Sequence, residues 1–160
     1  MNLNIGVSSK YLAKLSLKCL DIQPEILPCD IFKSQSKLTT DKSFIINLQV
    51  SNLPGSHFVS VVIKTDKIYY FDSLAFPLVN SYIVTKLKTL KKPIYYCTDA
   101  IQGVNSVFCG LYCICFLIIC QKRNKSFEEF FKMFWYDSPG CYIKNEQVCA
   151  EIIKSSLTVS

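Results

Sequence analysis

The stretch HFVSVVIKTDKIYYFD, residues 57–72, carries the strongest structural signal in the chain. Two runs of mostly β-branched and aromatic residues, 58–64 and 68–72, flank the dipeptide Thr65-Asp66. Such runs on either side of a two-residue turn predict a β-hairpin. Since side chains alternate along a strand, every second residue of each run lies on the same face of this hairpin.

The register of the hairpin gives a place to His57, the only histidine in the sequence. A two-residue turn puts Val59 opposite Asp72 and makes Asp72 a diagonal neighbour of His57. Diagonal neighbours are about 7–8 Å apart at Cα, within reach of an imidazole and a carboxylate. A three-residue turn would instead move Asp72 to the other face. The shorter turn therefore predicts a carboxylate partner for the histidine, with Asp99 as the alternative acid.

The rest of the sequence predicts further strands and helices in the order of an α+β protein. There is no internal repeat and no long Gly/Ser linker, so residues 1–160 are expected to form one domain. Strands are predicted at Phe44–Val50 and Ile94–Cys97, and helices at Ser9–Leu20, Asn80–Leu90, Val107–Cys120, Ser126–Phe134 and Glu146–Ser155.

Composition excludes several classes of protein. Half of the residues are hydrophobic, which is too many for an intrinsically disordered chain. The longest apolar run, 107–120, is shorter than the ~20 residues that cross a bilayer and predicts a buried helix, so no membrane contact is expected. The nine cysteines are odd in number and irregularly spaced, which favours reduced thiols in a reducing compartment.

The chain is basic, with a formal net charge of +6, and this favours weak association with nucleic acid. Lysines cluster in two places, and in each the simplest interpretation is a solvated helix face. The two clusters are Lys10, Lys14 and Lys18, and Lys86, Lys88, Lys91 and Lys92.

A histidine held by a carboxylate can activate a nucleophile, and Cys109 is the best candidate among the cysteines. It follows the polar segment 102–106, precedes Gly110 and begins the apolar helix. At a helix N-terminus the helix dipole favours the thiolate and lowers the thiol pKa. Cys113, Cys115 and Cys120 lie inside the apolar run, where burial has the opposite effect.

Gln102 is the candidate oxyanion donor, through its side-chain amide, with the backbone N–H of Cys109 as a second donor. Ser73 and Ser106 are disfavoured as nucleophiles because neither lies in a Gly-x-Ser-x-Gly turn. The cysteines contain no Cys-x-x-Cys pair, so no metal site is expected and the sequence by itself requires no cofactor.

Three segments of the sequence together resemble adenain, the cysteine protease family of adenoviruses and related virus-like elements. They are Gly55-Ser56-His57-Phe58, Tyr70-Phe71-Asp72-Ser73 and the run QGVNSVFCGLY at residues 102–112. The resemblance covers about Leu53–Leu117. The order His, acid, Gln, Cys differs from papain, in which the cysteine comes first. The six residues between Gln102 and Cys109 are more similar to adenain than to SUMO-type deconjugating proteases.

The resemblance implies a papain-like cysteine protease fold with rearranged connectivity, of the adenain and ubiquitin-like-protease type, in which helices flank a central mixed sheet. It assigns Cys109 as the nucleophile, His57 as the general base, Asp72 as the acid that orients the histidine, and Gln102 as the oxyanion donor. At Phe58 the sequence differs from the family, where tryptophan commonly follows the histidine.

The function implied by the resemblance is that of a cysteine endopeptidase. Its substrates would be viral structural precursor polypeptides, cleaved at Gly-Gly or Gly-X sites during virion maturation. Its locations would be the host nucleus or cytoplasm and the virion. An activating peptide and DNA are cofactors of the adenovirus enzymes, and Cys97 is the candidate attachment point for such a peptide.

Two alternative functions remain open at this stage. One is a deconjugating protease that acts on ubiquitin-like tails ending in Gly-Gly. The other is a non-catalytic domain of the same fold that holds DNA or a capsid partner on its basic surface. The presence of Cys109, His57, Asp72 and Gln102 together favours an enzyme.

Overall fold

The computed structural model describes residues 7–136 and 140–157, and in this part of the chain helices flank one five-stranded sheet. The protein is of the α+β class, as the sequence predicts. The strands are β1 Glu25–Pro28, β2 Ser43–Asn47, β3 Phe58–Ile63, β4 Ile68–Phe71 and β5 Ile94–Tyr96. The helices are α1 Ser9–Cys19, α2 Cys29–Ser34, α3 Ser81–Lys88, α4 Cys109–Leu117, α5 Phe127–Phe131 and α6 Cys141–Leu157, with a π-helical turn, Ile118–Lys122, continuing α4.

The sheet is mixed, with strand order β1-β2-β3-β4-β5. Strands β2, β3 and β4 pair antiparallel, whereas β1 pairs parallel with β2, and β5 parallel with β4. The hairpin of β3 and β4 therefore lies near the middle of the sheet. Its burial on both faces explains why its sequence is almost continuously apolar.

The predicted register of the central hairpin is confirmed. Val61 pairs with Tyr70, and the N–H of Lys64 donates to the carbonyl of Lys67 at 2.9 Å, across the two-residue turn. His57 directly precedes β3, and Asp72 directly follows β4. Because the strands are antiparallel, both residues lie at the same end of the hairpin.

The two faces of the sheet are covered by different helices. Alternate residues of β3 point to opposite faces. Phe58 and Val62 belong to a core cluster built largely by α4 and the π-helical turn. The other face packs on α2 and α3, through Val59, Val61, Ile63, Phe32, Ile83 and Leu87.

Helix α4 is the central helix of the fold, and every residue in it except Leu111 is buried. A helix that is apolar on all sides belongs in the interior, which confirms the prediction for the run 107–120. No helix among the described residues is both long and apolar enough to span a membrane. Gly110 lies where α4 meets α1, because a Cβ atom there would be 2.8 Å from Cδ1 of Leu12.

The first strand and second helix, β1 and α2, were not predicted. Prolines at positions 24 and 28 suggest a break in regular structure. The four-residue strand β1 nevertheless begins directly after Pro24 and ends at Pro28. An edge strand tolerates proline because one of its sides makes no ladder hydrogen bonds. Most other predicted boundaries differ by one or two residues, and the larger differences are that β2 ends at Asn47, α5 ends at Phe131 and α6 begins at Cys141.

Candidate active site

His57 is held at the mouth of a cleft by its backbone and its ring. Its carbonyl accepts a hydrogen bond from the N–H of Leu48 at 2.9 Å, in line with the ladder between β2 and β3. Its Nε2 atom lies 2.7 Å from Oδ1 of Asp72, and its side chain is 12% exposed. The contact expected from the hairpin register is therefore present, and the other ring nitrogen is left for a second partner.

Asp72 is the acid at the histidine, and its side chain is 1% exposed. Its Oδ1 also accepts the N–H of Leu74 at 2.9 Å, so the carboxylate is fixed by the turn that follows β4. Within the described part of the chain, Oδ2 has no hydrogen-bond partner. Asp99, the alternative acid, is exposed and accepts a hydrogen bond from the Thr98 hydroxyl.

Cys109 is the first residue of α4, and a short polar turn delivers it there. The N–H of Ser106 donates to the carbonyl of Gly103 at 2.9 Å, which closes the turn. The Ser106 hydroxyl then accepts the N–H of Phe108, the residue before the helix. The thiol therefore lies at the positive end of a buried helix dipole.

The thiol of Cys109 and the imidazole of His57 interact, and each changes the acidity of the other. Burial alone raises the pKa of Cys109, but hydrogen bonds from His57 and the Phe58 backbone, together with the positive charge of His57, bring this pKa below its ordinary value. Burial alone lowers the pKa of His57, but the hydrogen bonds to Asp72 and Cys109 and their negative charges raise it to about 9. The pair therefore favours a thiolate next to an imidazolium at neutral pH.

Gln102 lies in the same cleft, and its amide is bonded at both ends. Its Oε1 accepts a hydrogen bond from the Ser73 hydroxyl at 2.6 Å, and its Nε2 donates to the carbonyl of Ser106 at 2.8 Å. The side chain of Gln102 is almost completely buried, yet it lines the cleft with Cys109. The structure thus places the four predicted site residues around one cleft, with Asp72 behind His57.

The backbone beside Gln102 is fixed by two helices. The carbonyl of Ile101 accepts one hydrogen bond from the Tyr112 hydroxyl, on α4, and one from Nδ2 of Asn145, on α6. Asn145 is fully buried. Sequence patterns did not identify either residue as part of the site, because Asn145 lies 44 positions from Ile101 and Tyr112 lies inside the continuous apolar run.

The cleft has a volume of about 690 Å³ and combines polar and apolar walls. The beginning of α1 forms one wall, and the loop before His57 forms another. Phe76 is half-exposed, and its ring lies edge-on to the His57 ring, with 5.9 Å between the centroids. The apolar side chains of this lining include Leu74, Phe76, Val104 and Val107.

The other cysteines differ from Cys109. All nine cysteines are free and buried. Burial raises the pKa of the Cys113 and Cys115 thiols well above the ordinary value. Among the described residues there is no group of three or more His, Cys, Asp or Glu side chains that could hold a metal ion.

Cys97 is a buried cysteine that contacts the backbone of Asp72. Its thiol donates to the carbonyl of Asp72 at 2.9 Å, and burial together with the Asp72 charge raises its pKa to about 11. It also lines a groove of about 340 Å³, formed with Tyr96, Phe127, Phe131 and Tyr136. The thiol is therefore near a surface groove but is poorly ionised.

The sequence matches no protein-family model and no curated protein.

Proposed function

We propose that the protein is a cysteine endopeptidase. The observation that carries the proposal is the arrangement of its only histidine between a buried carboxylate and a thiol at a helix N-terminus. This arrangement supplies a nucleophile, a general base and a group that orients the base. The resemblance to adenain, together with a mixed sheet in an α+β protein, supports more specifically a papain-like fold with rearranged connectivity.

In the proposed acylation step, the Cys109 thiolate attacks the carbonyl carbon of the scissile peptide bond. The negative charge moves to the carbonyl oxygen, where the Gln102 side-chain amide and the Cys109 backbone N–H stabilise it by hydrogen bonds. The intermediate then collapses to a thioester as the C–N bond breaks. The imidazolium of His57 gives its proton to the leaving amine, so that the amine departs neutral.

In the proposed deacylation step, neutral His57 takes a proton from water. The hydroxide equivalent attacks the thioester, and the oxyanion forms again at the same donors. Cys109 leaves as a thiolate, His57 retains the proton, and the ion pair of the resting enzyme is restored. Asp72 keeps the imidazole in one orientation and stabilises its charged form in both steps.

We infer that the substrates are viral structural precursor polypeptides cut at Gly-Gly or Gly-X sites, as the resemblance implies. We also infer from the resemblance that the cleavage serves virion maturation, in the host nucleus or cytoplasm or inside the particle. Nine free cysteines in the structure are consistent with a reducing location of this kind.

DNA is proposed as a partner of helix α1. Lys10, Lys14 and Lys18 are all exposed and spaced by four residues, so they share a face of this helix. The second lysine cluster is less available, because Lys86 donates to the carbonyl of Gln35 and Lys92 to that of Lys64. DNA binding at α1 should weaken as salt rises from low to moderate concentration.

An activating peptide is also proposed, because the resemblance to adenain implies one. The groove beside Cys97 supports it by offering an apolar surface at the sheet edge. The burial and raised pKa of the Cys97 thiol argue against easy disulfide formation there.

Fluorogenic peptides with a Gly-Gly or Gly-X site test the proposed function, with Cys109→Ala as the inactive control. A reporter that carries a ubiquitin-like protein with a Gly-Gly tail should be assayed in parallel. Peptide turnover that disappears in Cys109→Ala is expected. Much faster turnover of the ubiquitin-like reporter would favour a deconjugating enzyme. No turnover of either substrate, with or without DNA and with virion peptides supplied, would favour the non-catalytic binding domain.

A further inference from the structure

Ser73 follows the orienting acid directly in sequence, and its side chain points to a different part of the site. Its hydroxyl is fully buried and lies 2.6 Å from Oε1 of Gln102, 29 residues further along the chain. The carbonyl of Ser73 also accepts the N–H groups of Ile101 and Gln102, each at 3.0 Å. One residue therefore holds both the backbone and the side chain of the candidate oxyanion donor.

The two ends of the Gln102 amide are distinguished by their partners. A backbone carbonyl only accepts hydrogen bonds, so the amide nitrogen must lie on the side of the Ser106 carbonyl. The amide oxygen then faces Ser73, whose hydroxyl can donate to it. Nε2 uses one hydrogen on Ser106, and no atom of the described residues accepts the other.

A glutamine amide that rotates by half a turn would present its oxygen to the cleft, and an oxygen repels a developing oxyanion. The Ser106 carbonyl opposes this rotation, because it would then face the amide oxygen, and two acceptors cannot form a hydrogen bond. The Ser73 hydroxyl bonds the amide oxygen at 2.6 Å and so keeps the amide group as a whole in place. Because Gln102 is buried, the rotated amide, which leaves the Ser106 carbonyl without this donor, is costly.

We infer that Ser73 is a positioning residue that holds the Gln102 amide in place, so that its nitrogen, on the side set by the Ser106 carbonyl, is available to the reacting carbonyl. The inference rests on the proposed function, since it assigns a role within acyl transfer. Asp72 and Ser73 are adjacent, so the end of β4 orients the general base through one residue and the oxyanion donor through the next.

The substitution Ser73→Ala removes only the hydroxyl and leaves the backbone bonds to residues 101 and 102 in place. Ser60→Ala is a matched control, because Ser60 is equally buried, lies in the neighbouring strand β3, and bonds through its hydroxyl to the carbonyl (3.5 Å) and thiol of Cys113 instead of to Gln102. Gln102→Ala provides the reference for complete loss of the amide.

Two reactions of Cys109 separate positioning from general damage. Acylation by p-nitrophenyl acetate forms an oxyanion, whereas alkylation by iodoacetamide displaces iodide and forms none. In Gln102→Ala the acylation rate should fall about 100-fold. In Ser73→Ala acylation should fall about tenfold, as expected for a donor that is present but poorly oriented, while alkylation stays within about twofold. In turnover of the Gly-X peptides, the loss in Ser73→Ala should appear in kcat with little change in KM.

The decisive comparison is between the effect of Ser73→Ala in the wild type and its effect in the Gln102→Ala variant. Ser73→Ala introduced into Gln102→Ala should cause no further loss of acylation, because the residue it positions is gone. Equal losses in the two backgrounds, equal losses of acylation and alkylation, or unchanged acylation in Ser73→Ala would each overturn the inference.

The ester test does not depend on the peptide substrate. Wild-type protein that accepts the ester but cleaves no peptide, even with DNA and virion peptides supplied, would refute the proposed protease and still test Ser73. If the ester does not react either, hydrogen exchange of the Gln102 side-chain amide, measured by NMR, gives the answer. Exchange should be slow in the wild type and in Ser60→Ala and at least tenfold faster in Ser73→Ala, and equal rates in all three would refute the role.

Discussion

The Nε2 atom of His57 lies 2.7 Å from Oδ1 of Asp72, at the end of the central hairpin. The carboxylate is buried, and the histidine is mostly buried with it. A charge in such a place strongly affects its neighbour, because little water screens the interaction. The acidity of the one histidine is therefore the most direct measure of whether the site is assembled.

We predict that His57 titrates with a pKa near 9 in the wild-type protein. Asp72→Asn keeps the size of the side chain but removes its charge, so the pKa of His57 should fall, because burial of the imidazole then opposes its protonation with less compensation. Since the chain has one histidine, the ring proton resonances in an NMR titration need no assignment by mutation. An unchanged midpoint in Asp72→Asn would show that the carboxylate does not control the imidazole. The same variant should lose about 100-fold in kcat/KM.

The pH dependence of Cys109 alkylation should show a reactive thiolate below the ordinary thiol pKa. The pKa of Cys109 is lowered and that of His57 is raised, so the ion pair exists between the two values. Peptide cleavage needs the thiolate and the imidazolium, and it should therefore decrease in acid as the thiolate is protonated and above about pH 9 as His57 loses its proton.

In His57→Ala the imidazolium is absent, while burial of the thiol remains. Alkylation should then require a pH above that of the wild type, and its rate at neutral pH should fall at least tenfold. Coinciding pH profiles for the two proteins would contradict the ion pair. The far-UV circular dichroism of both should be recorded, because an unfolded variant would expose every thiol.

Cys97 and Cys109 should react very differently with thiol reagents. Burial raises the pKa of Cys97 to about 11, whereas the pKa of Cys109 is lowered by its partners. A limiting amount of iodoacetamide at neutral pH should therefore label Cys109 first, as peptide mass spectrometry would show. Labelling of Cys97 at a comparable rate would mean that the groove beside it opens in solution, and it would strengthen the case for a peptide attached there.

The central hairpin and the contact of His57 with Asp72 could be predicted because both follow from local spacing. A two-residue turn sets the register, and the alternation of side chains along each strand then makes Asp72 a neighbour of His57. Helix α4 could likewise be predicted from one continuous apolar run. These features depend on residues close together in the sequence.

The features that could not be predicted depend on distant contacts or on exceptions to local rules. Strand β1 is four residues long and ends in Pro28, and only its parallel pairing with β2 makes it a strand. The hydrogen bonds of Ser73 to Gln102 and of Asn145 to Ile101 join residues 29 and 44 positions apart. No periodicity in the sequence reports such pairs.

The contact of Gly110 with Leu12 predicts a stability effect next to the nucleophile. A Cβ at position 110 would be 2.8 Å from Leu12 Cδ1 and 3.0 Å from Leu12 Cδ2, and Leu12 is fully buried in the core cluster. Gly110→Ala should therefore lower the free energy of unfolding by about 1–3 kcal/mol, measured by urea denaturation, despite the better helix propensity of alanine. Gly103→Ala is the control, because its Cβ would meet the half-exposed Tyr142 at 3.3 Å and that side chain can move. In a Leu12→Ala background the clash disappears, so Gly110→Ala should there cost nothing or stabilise. A loss of the same size in both backgrounds would refute close packing of α1 on α4 as the reason for glycine.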